Sequence, residues 1–152
     1  MPINVVTKGK EGEREVVRML NAELERLIAS EGYGEETINI LRGVAQRNQN
    51  QSAVGGGDIN LFGLSLEVKR QETLSVEQWW RQACTSAQRN GDKPVLIYRQ
   101  NRKAWHVIMD GFVPLPSGAQ MGARVQIHIE EFRAWFRSWV QDKIRSGELS
   151  RV

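Results

Sequence analysis

Apolar residues recur along this chain with two periods, and the change from one to the other marks out its elements. From Lys10 to about Ser30 the apolar positions are Val16, Val17, Leu20, Leu24, Leu27 and Ile28, a single helical stripe. Gly32 and Gly34 end that helix. Residues 1–9 read as extended, and Thr37-Ile38-Asn39-Ile40-Leu41 reads as a strand. The period then becomes two. Ile59 and Leu61 alternate with Asp58 and Asn60, and Leu64, Leu66 and Val68 alternate with Ser65, Glu67 and Lys69. Alternation of this kind predicts half-buried strands. A turn at Phe62-Gly63 pairs Leu61 with Leu64 and Asp58 with Glu67, and it sorts every apolar residue to one face. Phe-Gly is not a favoured pair for a two-residue hairpin turn. The face sorting supports the register, because a slip of one residue would mix the faces.

Helical spacing returns after the hairpin. Ser75-Val76-Glu77-Gln78 has the form of a capping box, and Gly91 stops the helix after Asn90. Val76, Trp79, Trp80, Ala83 and Ala87 form its buried stripe, with Cys84 at the edge and Gln82 flanking. The two tryptophans read as core rather than as base-stacking platforms. Val95-Leu96-Ile97-Tyr98 is a continuous apolar run, typical of a central strand. Residues 100–103 are a turn, and Trp105, Val107 and Met109 then share one side of a further strand. Residues 110–122 hold Pro114, Pro116 and four Gly or Ser, which predicts a connecting loop. Residues 125–129 read as a short strand. The last helix runs from Glu130 to about Ser146, closed by Gly147. Phe132, Trp135, Phe136, Trp139 and Val140 give it a broad aromatic face for the sheet or a second subunit, with Arg133 and Arg137 pointing away. The expected fold class is α/β (α+β), a mixed central sheet flanked by helices. One domain is expected over residues 1–152, with no internal repeat.

Composition narrows the picture. Hydrophobic content of 40% and charged content of 26% are ordinary for a globular protein. No apolar run reaches the ~18 residues of a membrane span, and the first residues lack a secretory core. The single cysteine, Cys84, excludes an internal disulfide and suits a reducing cytoplasm. His106 and His128 have no Cys or His near them in sequence and read as strand residues rather than zinc ligands. A net charge of +3 permits a nucleic-acid partner without demanding one.

The predicted register carries the chemistry. Carboxylates directly opposite each other on a sheet stand roughly 5 Å apart and repel. A cation between Asp58 and Glu67 would relieve this, and a hard divalent ion such as magnesium suits oxygen ligands. Lys69 projects from the same face as Glu67. Two carboxylates and an ammonium suit an anionic substrate oxygen beside a metal-bound water. The same residues would equally make a solvated hairpin face with an incidental Glu/Lys pair. Glu13 lies at the N-terminal end of the first helix's apolar stripe, where a carboxylate can reach over the sheet, or simply favour a helix start. Residues 43–57 are polar, amide-rich and end on three glycines, and they read as a mobile loop. Arg42 and Arg47 there are candidates for phosphate contacts, or the segment is a spacer.

Glu13, Asp58 and Glu67-Val68-Lys69, in this order and on these elements, resemble the PD-(D/E)XK nuclease superfamily. Within it the chain is most similar to archaeal-type Holliday junction resolvases and their phage relatives. The lead-in from Lys8 to Glu15 and the segment from Gly91 to Trp105 share the likeness, which covers residues 8–109 and leaves 123–147 as a C-terminal strand/helix extension. The resemblance implies a restriction-endonuclease-like core and a magnesium-dependent endodeoxyribonuclease, with manganese able to substitute. Asp58, Glu67, the Val68 carbonyl and Glu13 would bind metal. Lys69 would orient the water or stabilise developing charge, and Gln82 falls where some members carry a helical glutamine near the site. Arg42, Arg47 and Arg70 would contact DNA. The implied substrate is a four-way junction, cut to leave 5′-phosphates by a two-fold homodimer in the cytoplasm of a phage's bacterial host. A nuclease of flaps, ends or mismatches, or an inactive DNA-binding module, would share these motifs. Gly57 stands where the family has a proline, the Asp58–Glu67 gap is shorter than in many archaeal members, and residues after Met109 have no counterpart.

Overall fold

The computed structural model describes residues 5–48 and 57–149, with side chains from Gly9 onward. The elements run α1 (Val5–Ser30), α2 (Glu35–Leu41), β1 (Ile59–Leu61), β2 (Leu64–Arg70), α3 (Val76–Asn90), β3 (Lys93–Arg99), β4 (His106–Pro114), β5 (Gln120–His128) and α4 (Ile129–Arg145). The strands form one sheet in the order β1-β2-β3-β4-β5. Only the β2–β3 pair is parallel, joined by α3, and the other neighbours are antiparallel. This is the mixed, helix-flanked sheet that the periodicity predicts.

Each face of the sheet has its own core. On one, α1 and α4 bury Leu20, Leu24, Phe132 and Phe136 against Leu66, Ile97 and Val107. On the other, α3 lays Trp79, Ala83 and Ala87 over Leu96, Tyr98 and Ile108. The aromatic face of α4 therefore packs within the chain, with Phe132, Phe136 and Val140 fully buried. The strand β2 is covered on both sides, and Ser65 and Glu67 are 0% and 3% exposed. That burial removes the solvated-hairpin reading.

Several expectations are corrected. Residues 5–9 are helical rather than extended, since nothing before Glu15 breaks the helix and adding turns to a packed one costs little. Residues 1–4 lie outside the described residues. Thr37–Leu41 is the end of α2, not a strand. Alternation over five residues cannot separate the two, whereas Gly34 at the N-cap and Glu35 and Glu36 in the first turn favour a helix that buries Leu41. The supposed loop at 110–122 is mostly ribbon, with Asp110–Pro114 paired to Gln120–Arg124. Pro114 stands at its last pair, where its missing N–H costs little, and the Leu115 N–H donates to the Ala119 carbonyl at 2.8 Å. Ser75 makes no side-chain cap; the capping box is at His128 and Glu131 instead. Arg133 and Arg137 do not point away. Both bind Glu23 of α1, a contact bridging more than 100 residues of sequence. Of the expected mobile loop, residues 49–56 lie outside the described residues.

Candidate active site

The site begins with the hairpin turn. Phe62 and Gly63 both have positive φ, 52° and 79°, as a two-residue primed turn requires. Phe62 accepts that conformation because tertiary contacts hold it. Its side chain is buried, and its carbonyl accepts a 2.8 Å hydrogen bond from the Trp139 indole N–H on α4. The register is Leu61 to Leu64 and Ile59 to Leu66. Continuing it by one pair sets Asp58 opposite Glu67, as the face sorting predicts. Gly57, just before, runs so close to β2 that a Cβ would stand 2.7 Å from the Leu66 carbonyl and the Ser65 hydroxyl. A side chain at that position would push Asp58 out of place.

Asp58 and Glu67 are 9% and 3% exposed. The Val68 N–H donates to Asp58 Oδ2 at 2.8 Å, and the Ser86 hydroxyl donates to Glu67 Oε1 at 3.1 Å from across α3. The two carboxyls also hydrogen-bond to each other. Burial pushes the Asp58 carboxyl up to about 8; the charges of Glu67 and Glu13 add to this, and the Val68 N–H and Lys69 oppose it. Glu67 is likewise raised, by burial first, against the opposing pull of Lys69 and Ser86. Both carboxyls feel the Glu13 charge, so Glu13 lies within electrostatic reach of the pair.

Glu13 arrives from α1 through a close helix–strand approach. A Cβ on Gly12 would meet Arg70 Cβ at 3.3 Å, the Trp105 ring at 3.5 Å and Val68 at 3.7 Å. The helix thus rests on the end of β2 and turns the buried Glu13 toward the carboxylate pair. Arg47 Nε donates to Glu13 Oε2 at 2.6 Å. Among the described residues no three His, Cys, Asp or Glu side chains already form a ligand cluster, and Glu13 is engaged by Arg47.

The fold brings Glu13, Asp58, Glu67, Val68, Lys69 and Arg47 together. Arg70 sits next to Lys69 on the opposite face of β2, with its Nε buried and without a hydrogen bond. Gln82 is exposed, one helical turn before Ser86 on the same side of α3. Arg42 is elsewhere, bound to Glu25 at 3.0 Å, about 18 Å along α1 from Glu13. Sequence reasoning missed Ser86. Its signal was a small polar residue between Ala83 and Ala87 on a helix that covers the polar face of the hairpin. It also missed the Arg47–Glu13 pair.

Residues 4–115 match the family of phage putative PDDEXK endonucleases. The chain belongs to that family. The matched span contains Glu13, Asp58, Glu67 and Lys69 and runs through the first half of the β4–β5 ribbon. This PDDEXK chain is accordingly a nuclease by family. Among solved structures it is similar to Hjc, a Holliday junction resolvase of Archaeoglobus fulgidus. The two share 17% identity over 84% of this chain and 96% of that one, with a TM-score of 0.45. No curated protein matches the sequence. No helix among the described residues is long and apolar enough to cross a membrane.

Proposed function

We propose that this chain is a divalent-metal-dependent, structure-selective DNA endonuclease that cuts four-way junctions as a two-fold dimer, with magnesium serving and manganese able to replace it. The observation that carries the reading is the buried pair Asp58 and Glu67, face to face across a hairpin, with Lys69 on the same edge and Glu13 within electrostatic reach. The donor set fits a hard cation: it is all oxygen and anionic, and burial first, with the neighbouring carboxylate charges, keeps a proton on one carboxyl well above its usual range. Asp58, Glu67, the Val68 carbonyl and Glu13 would hold the ion. When bound, such an ion lowers the pKa of a coordinated water and offsets charge on the scissile phosphate.

The chain's own groups do the rest. The Val68 N–H and the Ser86 hydroxyl each fix one carboxylate oxygen, so the pair is preorganised for a cation. Lys69 places an ammonium beside them, able to orient an attacking water or to stabilise charge building on the phosphoryl oxygens. Gln82, one turn from Ser86, would approach the same edge. Arg47, held on Glu13, and Arg70, at the end of β2, would meet backbone phosphates. A four-way junction has near two-fold symmetry, so paired cuts call for two copies of the site related by a two-fold axis.

The test is cleavage. Wild type and Glu67→Gln are incubated with magnesium and, in turn, a four-way junction, a flap and a linear duplex. Paired symmetric nicks confined to the junction, absent in the variant, are expected. Preferential cutting of flaps or ends would replace the junction reading with a repair-type nuclease. Binding without cleavage by wild type would leave an inactive DNA-binding module.

A further inference from the structure

The sheet has two edges, and they are finished differently. At one, β1 spans only Ile59–Leu61, and the Asp58 carbonyl just before it accepts the Asn48 N–H at 2.7 Å. At the other, β5 runs for nine residues, and among the described residues no backbone hydrogen bond meets its outer side. Edge strands are ordinarily blunted by lysine, proline, a bulge or a covering helix. β5 holds no lysine and no proline, and its register with β4 is unbroken from the His106–His128 pair to the Pro114–Gln120 pair. Its one charged residue, Arg124, is tied to Glu77 of α3 at 2.6 Å. Residues 111–123 form the longest uncharged run in a chain that is 26% charged. Four large apolar side chains are exposed among the described residues, and three of them, Phe112, Leu115 and Met121, stand on this ribbon. Phe112 is 74% exposed, opposite Gly122, which has no side chain to cover it.

We infer that β5 is the edge by which two copies of this chain join, pairing antiparallel about a two-fold axis so that two five-stranded sheets become one. The inference rests on the proposed reading of the chain as a dimer and names the surface that reading leaves open. A strand edge is completed by another strand, and a copy related by a two-fold axis through the sheet arrives antiparallel. The uncharged run lets β5 meet itself. With the axis at Gly122 or Ala123, Arg124 lies opposite Gln120 or Gly122, so no like charges face each other. Met121 then lies opposite Ala123 or Val125, and apolar side chain meets apolar side chain. A specific interface takes roughly 20–30 residues a side and keeps charge out of its centre. Residues 110–128 supply most of that number in one continuous ribbon, with the uncharged run inside it. DNA is the poorer occupant, because a ribbon that tracks phosphates carries cations for them, and this one has none from 111 to 123.

The experiment separates this edge from the chemistry. Sedimentation velocity without DNA or divalent metal follows the mass of the chain over a wide range of protein concentration, and amide hydrogen exchange locates what the second copy covers. Wild type is compared with Phe112→Lys/Met121→Lys, which places on the ribbon the cations that natural edges carry. Leu74→Lys, at the exposed apolar residue away from the ribbon, is the control. Circular dichroism checks that all three fold alike. Wild type is expected to be a dimer with slowed exchange within Gln120–His128, and Leu74→Lys to match it. The ribbon variant is expected to raise the dissociation constant of the dimer at least about tenfold. A wild type that is monomeric throughout would overturn the edge, and so would a dimer whose β5 amides gain no protection. A dimer that the ribbon variant leaves intact would keep the two-fold reading and overturn β5 as its surface. A monomeric wild type whose ribbon variant changes only junction affinity would give the ribbon to DNA and overturn it likewise. Cleavage with magnesium is scored separately. A monomer that nicks DNA removes the edge and keeps the nuclease. A dimer joined at β5 that never cuts keeps the edge and removes the nuclease.

Discussion

Among the described residues, glutamate or aspartate is buried in two places, and they are built in opposite ways. Glu23 on α1 is fully buried, and the guanidiniums of Arg133, Arg137 and Arg26 close on it. Burial by itself would push its carboxyl up, but the hydrogen bonds and charges of Arg133 and Arg137 more than offset this and hold it below the ordinary range. Asp58 and Glu67 are nearly as buried, yet two carboxyls there face one Lys69, and both are raised. One site ties helix α4 to helix α1 and is complete. The other sets two buried carboxyls against each other, with Lys69 beside them and Arg47 taken up by Glu13. A buried carboxylate closed on by guanidiniums is architecture, whereas buried carboxyls set against each other make a candidate ligand site.

The largest difference should appear in activity. Asp58→Asn, Glu67→Gln and Lys69→Ala are each expected to cut DNA at least roughly 10³-fold more slowly, the scale of removing a preorganised charge from a reaction centre. Glu23→Gln should cut at the wild-type rate once its lower stability is allowed for. Single-turnover cleavage at saturating DNA reads both. A wild-type rate in any of the first three would take that residue out of the site.

Stability should invert the order. Glu23→Gln leaves two half-buried guanidiniums without their anion and is expected to cost about 2–4 kcal/mol, a fall in Tm of very roughly 5–15 °C at this chain length. Asp58→Asn keeps an oxygen for the Val68 N–H and removes a buried acid that the unfolded chain would ionise at pH 7. In metal-free buffer at pH 7 it should therefore be more stable than wild type, by about 2 kcal/mol. Magnesium should raise the Tm of wild type and leave that of Asp58→Asn nearly unmoved. A destabilised Asp58→Asn would mean that burial does not hold the Asp58 carboxyl up.

The two sites also respond to pH with opposite sign. Glu23 has its folded pKa lowered, so its contribution is full above its unfolded value near 4.5 and is lost as pH falls through the folded one. Asp58 is raised from 3.8 to about 8. Between those values the folded state holds a proton that the unfolded state has released, so stability contributed there is present at low pH and lost as pH rises through that window. With a chelator present, the Tm of wild type should decline from about pH 5 to pH 8 more steeply than that of Asp58→Asn. Below pH 4.5 both should fall, and Glu23→Gln should fall least.

How much of this was legible in the sequence follows from the range of each interaction. The carboxylate pair was legible because alternation fixes a hairpin's register locally, and Asp58 and Glu67 are nine positions apart. Glu13 was legible as a polar residue ending an apolar stripe. The Glu23 site was not. Arg133 and Arg137 flank Phe132 and Phe136, and nothing near them in sequence indicates an acidic partner 110 residues upstream. The same limit hid the grip of Arg47 on Glu13, at a separation of 34, and that of Ser86 on Glu67. Thr37–Leu41 was misread for a different reason, since five residues are too few for a period to declare itself. Residues 110–122 were misread because proline and glycine mark the rim of a ribbon as readily as a loop.

The smallest predicted effect falls on the residue that sequence reasoning missed. Ser86 supplies no charge. It donates one hydrogen bond, at 3.1 Å, to a carboxylate that Lys69 also steadies. Ser86→Ala should leave the fold intact, since Ala83 and Ala87 already pack there as small side chains. It frees the Glu67 oxygen to turn, which weakens preorganisation rather than chemistry. Outer hydrogen bonds to metal-binding groups typically carry about 10–100-fold in affinity or activity, and this single neutral one should lie at the low end. The loss should be larger at low magnesium than at high, because a loosened ligand can be compensated by more ion, whereas an absent one cannot. A Ser86→Ala rate deficit that is the same at every magnesium concentration would place Ser86 on the phosphate rather than on Glu67. It would then belong with Lys69 instead of with the carboxylate pair.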